Sequence, residues 1–163
     1  MEAFAQWLGA TPVSVAIRRA LWLIPLLQAV HILAIAAVLS SVAMIDLRLL
    51  GLAGRSQTLR ATAQRFVPWI WTSLVVLAAT GLVLVVGEPK RSLLNPAFQL
   101  KMAMVAAAVP GMLAVQALLR RNADVRNDHP HGGKMTGAFV VLTFLLWCAI
   151  AFAGRWIAYI RVA

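Results

Sequence analysis

Four long apolar stretches, at residues 20–45, 66–86, 96–119 and 135–160, alternate with short polar connectors along this chain. A bilayer core about 30 Å thick needs about 20 apolar helical residues to cross it, so each stretch reads as one span. Lipid offers no partner to backbone N–H and C=O groups, and a spanning segment must therefore satisfy its own as a helix. Short connectors make consecutive helices antiparallel neighbours. The expected fold is all-α: a four-transmembrane-helix, up-down-up-down bundle forming a single membrane domain over residues 1–163. Composition agrees, since 62% hydrophobic residues against 12% charged ones, with a mean hydropathy of +0.85, exclude an ordinary soluble domain.

The net charge of +10 is scattered between the apolar segments and not gathered on one face. Anionic lipid headgroups fit that distribution better than nucleic acid does. Residues 2–8 (EAFAQWL) before Gly9 form a short amphipathic segment whose Phe4, Trp7 and Leu8 suit a lipid interface. Thr11 and Pro12 are a good N-cap and first helical residue, and the helix they open is expected to run through Arg18 and Arg19 into the first span. That span is longer than a signal-peptide core and lacks a small-residue cleavage site, which reads as retained. Pro25 predicts a kink near Trp22, because it leaves the Leu21 carbonyl without its usual partner. Gly51 and Gly54 break the helix after Asp46 and Arg48. Pro68 is expected in the first turn of the second span, residues 87–94 as a tight loop, Asn95-Pro96 as the cap of the third helix, and Pro110-Gly111 as a second kink. Gly133 and Gly137 form a small-xxx-small pair at the start of the fourth.

Lys and Arg in the first and third connectors outnumber those on the opposite side, which places both termini outside the cytoplasm, periplasmic for a bacterial inner membrane protein. Cys148, alone and inside an apolar stretch, reads as a small buried residue and carries no redox signal.

An ionisable side chain costs about 2.5–3.5 kcal/mol at mid-helix on insertion scales, so one inside a span is a functional candidate. The spans hold three: His31, Lys101 and Arg155. His31 follows Arg19 by about 12 residues, roughly 18 Å of helix. With antiparallel helices, the start of the first, the start of the third and the end of the fourth share one membrane face. Both cations then occupy one leaflet, with His31 below them. Gln28 lies one turn from His31, Tyr159 one turn from Arg155, and Trp22 and Trp156 at similar depth. The pattern reads as a polar pocket between helices, floored by an imidazole and open toward the termini.

Two cations with no acid at their depth call for an anion. A porphyrin suits the arrangement: His31 as axial ligand of a haem b, the ring buried in apolar surroundings, and Lys101 and Arg155 on its carboxylates. The competing reading has both cations snorkelling to lipid phosphates and His31 bonded to a backbone carbonyl. No second axial histidine lies in a span, and Met102 and Met104 suit ordinary packing. His129 and His131, in the polar connector with Asp124 and Asp128, form a weak surface metal signal on the opposite side from His31.

The segment HILAIAAVLSSVAMIDLRLLGLAGR, opening on His31, and NPAFQLKMAM, carrying Lys101, resemble an uncharacterised bacterial family of four-helix integral membrane proteins over nearly the whole chain. More distantly, a histidine in the first span with a lysine early in the third resembles the HemJ-type protoporphyrinogen oxidases and the CopD-like membrane domains. The HemJ likeness implies haem b at His31 and Lys101 and porphyrin oxidation. HemJ-like sequences tend to carry a further histidine just before that lysine, where this chain has Phe98, Gln99 and Leu100. The resulting expectation is a haem or related porphyrin used for electron transfer or porphyrin redox chemistry, with a quinone or another membrane redox partner. The alternatives are a copper or other metal transport module, using His31 with Met102 or Met104, and a cofactor-free accessory subunit or oligomer within a larger membrane complex.

Overall fold

The computed structural model describes residues 1–53, 58–123 and 134–157, with side chains described over 1–53, 58–117 and 137–157. The helices follow as α1 (Glu2–Ala10), α2 (Pro12–Arg19), α3 (Leu23–Leu49), α4 (Leu59–Gly87), α5 (Pro89–Leu93), α6 (Pro96–Ala123) and α7 (Lys134–Trp156). Four of them, α3, α4, α6 and α7, are long and apolar enough to cross a membrane, as the four stretches require. His129, His131, Gly133 and Tyr159 lie outside the described residues.

Two helix starts follow their sequence signals. Thr11 Oγ1 accepts from the Ser14 amide at 3.4 Å ahead of Pro12, and Asn95 Oδ1 accepts from the Ala97 amide at 2.9 Å around Pro96. The first span differs from expectation. Its helix does not run on from α2: the chain leaves helical geometry at Ala20 (φ −81°, ψ 81°) and restarts at Leu23. Pro25 supplies the reason. In a continuous helix its ring would clash with the Leu21 carbonyl, whereas a fresh start at Leu23 puts it in a first turn, where no amide is needed. The expected kink is thus a full break, and α3 continues past residue 45 to Leu49.

The second span starts earlier than expected. Thr58 caps α4 by accepting from the Ala61 amide at 3.2 Å, so Arg60 and Arg65 lie on helix and Pro68 is interior, not in a first turn. The expected loop at 87–94 contains the short helix α5, opened by Pro89. The third span, α6, is helical straight through Pro110.

The spans form a square. α3 packs against α4 and α7, and α6 against α7 and α4, which leaves α3 diagonal to α6. Val38, Val42 and Ile45 of α3, Ile70 of α4, Ala108, Met112 and Val115 of α6, and Trp147 and Ile150 of α7 form the core. Burial is uneven along these helices. α3 has no buried residue before Ala34, and α6 has only Ala97 before Ala108. The bundle is therefore packed toward the first and third connectors and loose on α3 and α6 toward the termini. Gly137 of α7 lets Leu50 approach, since a Cβ there would lie 3.5 Å from Leu50 Cδ2.

At the looser end α1, α2 and α5 gather around the end of α4. Ala5 and Ser14 are fully buried in this collar, and Ile17 lies directly on Gly87. The Arg18 guanidinium donates to the Gly9 carbonyl. Phe4 and Trp7 stack with centroids 5.8 Å apart and stay exposed, as an interfacial helix requires. Asn95 Nδ2 donates to the Ile157 carbonyl at 3.4 Å, tying the start of α6 to the end of α7.

Candidate functional site

The half-buried His31 ring of α3 turns toward α4, where Nδ1 lies 2.7 Å from Thr80 Oγ1. The Thr80 hydroxyl has one proton, and it donates that proton back to the Val76 carbonyl at 2.7 Å. A hydroxyl that gives its proton to that carbonyl accepts from His31, and the neutral ring then carries its proton on Nδ1. In the neutral ring the free lone pair is then on Nε2, and no described residue hydrogen-bonds that atom. Gly81 follows Thr80, and a Cβ there would sit 3.7 Å from His31 Cε1, so the ring edge runs along the α4 backbone.

Lys101 enters from the diagonal helix. Its stem lies flat against α7 at Gly154, where a Cβ would meet Nζ at 3.3 Å and Cε at 3.6 Å. His31, near the start of α3, and Lys101, near the start of α6, thus lie in the same half of the bundle, toward the termini. Among the described residues no carboxylate pairs with Lys101.

The other expected lining residues are placed differently. Arg155 neighbours Gly154, at the same depth as Lys101, with its side chain exposed. Gln28, one turn before His31, is exposed, as is Trp22 at the break before α3. Tyr159 falls outside the described residues. The structure thus places His31 and Lys101 in the same half of the bundle, keeps Arg155 beside Gly154 at the surface, and leaves Gln28 and Trp22 on exposed positions.

Sequence reasoning missed three contributors: Thr80, Gly81 and Gly154. The one available signal was that Thr80 is among the few polar residues of the second span. Glycines in an apolar helix give none, because their effect depends on which side chain lies across from them.

Among the described residues there is no group of three or more His, Cys, Asp or Glu side chains able to hold a metal. Met102 is exposed, Met104 packs against the core, and Cys148 is half-buried and free. Far from the site, near the other end of α3, Asp46 is buried with its Oδ2 unpartnered.

Fold and site together define an all-α integral membrane protein with an imidazole and an ammonium group held between its helices. The chain belongs to a family of unknown function, DUF6644, whose model matches residues 21–160 and so takes in all four spans and the site. No curated protein and no solved structure matches the chain. No likeness to HemJ-type oxidases or CopD-like domains is shown.

Proposed function

We propose that this protein holds a b-type haem or related porphyrin through His31 and serves electron transfer or porphyrin redox chemistry in the membrane. One observation carries the reading: the His31 ring is anchored at Nδ1 by the Thr80 hydroxyl, itself back-bonded to its helix, while no described residue hydrogen-bonds Nε2 and no described carboxylate pairs with the half-buried Lys101. An imidazole whose second nitrogen is anchored by a neighbouring acceptor is the usual state of a histidine metal ligand.

The residues present fit such a group in part. Nε2 of His31 would bind it, and Lys101 and Arg155, at one depth, would meet its carboxylates. The sparse burial of α3 and α6 at this end leaves apolar surface for a ring to cover. When bound, the iron porphyrin supplies reversible one-electron chemistry. Each chain residue then has a separate task. Thr80 holds the imidazole proton, Gly154 gives the Lys101 stem room to lie along α7, and the lysine charge offsets the carboxylate that it meets. The redox partner belongs in the bilayer, a quinone or a larger membrane complex. On the charge asymmetry of the connectors, the site opens to the periplasmic leaflet of a bacterial inner membrane.

A visible spectrum of the detergent-purified protein, oxidised and dithionite-reduced, tests this with His31→Ala beside the wild type. A Soret band present in the wild type and lost in the variant is the expected result. A flat spectrum in folded wild type, still flat after haem is supplied, overturns the reading. Copper titration of the same samples then separates the metal-transport alternative from a cofactor-free subunit.

A further inference from the structure

We infer that Thr80 is a positioning residue that fixes the His31 tautomer, committing Nδ1 to the protein and reserving Nε2 for a ligand. The inference rests on the ligand-binding reading for its purpose, but not for its physical content. Its basis is a relay of two hydrogen bonds across two helices. The Thr80 hydroxyl lies 2.7 Å from Val76 O and 3.3 Å from Leu77 O on its own helix, and 2.7 Å from His31 Nδ1 on α3. Both carbonyls are acceptors only, and two of them at the hydroxyl favour giving its single proton to one. That leaves the oxygen as an acceptor toward the ring. A water or serine on a mobile loop could reverse its role. A threonine buried in a helix and back-bonded to its preceding turn is held in one rotamer by that bond, which favours the accepting role toward the ring.

Three consequences follow. The ring is held at one nitrogen and cannot flip to present Nδ1 to the interior without losing that bond. Gly81, with no Cβ beside Cε1, leaves the ring free of a side-chain contact at that position. The donor aimed at a ligand is therefore already selected before any ligand arrives.

The test uses the full-length protein in detergent without added cofactor. His129 and His131 are replaced by Gln, so that His31 is the one histidine, and the chain is labelled with ¹⁵N-histidine. Nitrogen NMR of the neutral ring should show the proton on Nδ1. In Thr80→Val, which keeps the side-chain shape, that preference should be lost, and Thr80→Ser should restore it. An Nε2–H ring in the unsubstituted background, or an unchanged Nδ1–H ring in Thr80→Val, overturns the inference. Haem titration of the same proteins gives a second reading. Thr80→Val should weaken binding about 10- to 100-fold, as loss of an outer partner to a ligating histidine typically does, with Thr80→Ser close to wild type. Correct tautomer behaviour in a protein that binds no haem would refute the haem reading and leave the role of Thr80 standing.

Discussion

His31 and Asp46 sit near opposite ends of one helix, and their surroundings give them different meanings. His31 has a built partner in Thr80, whereas Asp46 is 7% exposed with its Oδ2 bonded to nothing. A buried carboxylate oxygen without a partner is costly, and replacing the carboxylate with a neutral amide of the same shape removes the cost of burying charge. Asp46→Asn is therefore expected to leave thermal stability unchanged or raised in detergent. A fall of several degrees in the unfolding midpoint would mean that the carboxyl has a stabilising contact of its own. At this scale the sequence was legible wherever a residue type is rare in lipid. His31, Lys101 and Arg155 stand out on energetic grounds alone. Thr80 does not, because a threonine bonded back to its own helix is common and costs little. Only the α3–α4 register turns it into the histidine's partner.

The four spans were legible in number and type, since hydropathy over twenty residues integrates many side chains. Their limits were not. The break at residues 20–22 has no Gly and no turn dipeptide to announce it, and Arg18 and Arg19 are good helix formers. What decides it is the position Pro25 can accept, together with the collar that gives α2 somewhere to dock. That collar depends on close approach. A Cβ at Gly87 would lie 2.9 Å from Ile17 Cγ2, and a β-branched side chain held at χ1 has little room to yield. Gly87→Ala should therefore lift α2 at a cost of about 1–3 kcal/mol, typical of overpacking. The change reads out as faster tryptic cleavage after Arg18 and Arg19 while the spans stay folded. Combined with Ile17→Ala, which removes the opposing methyl, the loss should be clearly less than the sum of the two single effects. Strict additivity would mean that the two residues do not meet.

Over the molecule as a whole, the apolar surface is turned outward. Leu145, close to the middle of α7, is 55% exposed, and Leu33, Leu82 and Phe152 are exposed on the spans as well. In water such positions tolerate a charge, but in a bilayer Leu145→Arg should cost about 2.5–3.5 kcal/mol on the insertion scale. The expected readout is a marked drop in the membrane-integrated fraction on expression. Unchanged insertion would place that face of α7 against protein or water instead of lipid. The uneven packing of the bundle has a mechanical consequence. The helices are clamped around Val42 and Met112, and His31 lies eleven residues of α3 away from Val42, about 17 Å along the axis. A rigid rod pivoting at a clamp magnifies rotation into displacement, so a tilt of about 10° there would carry the imidazole by about 3 Å. Such a tilt would widen the separation of α3 and α6 by about as much while the core side chains keep their neighbours. A ligand of the kind proposed would then load and unload by leverage at one end, with no melting of the fold.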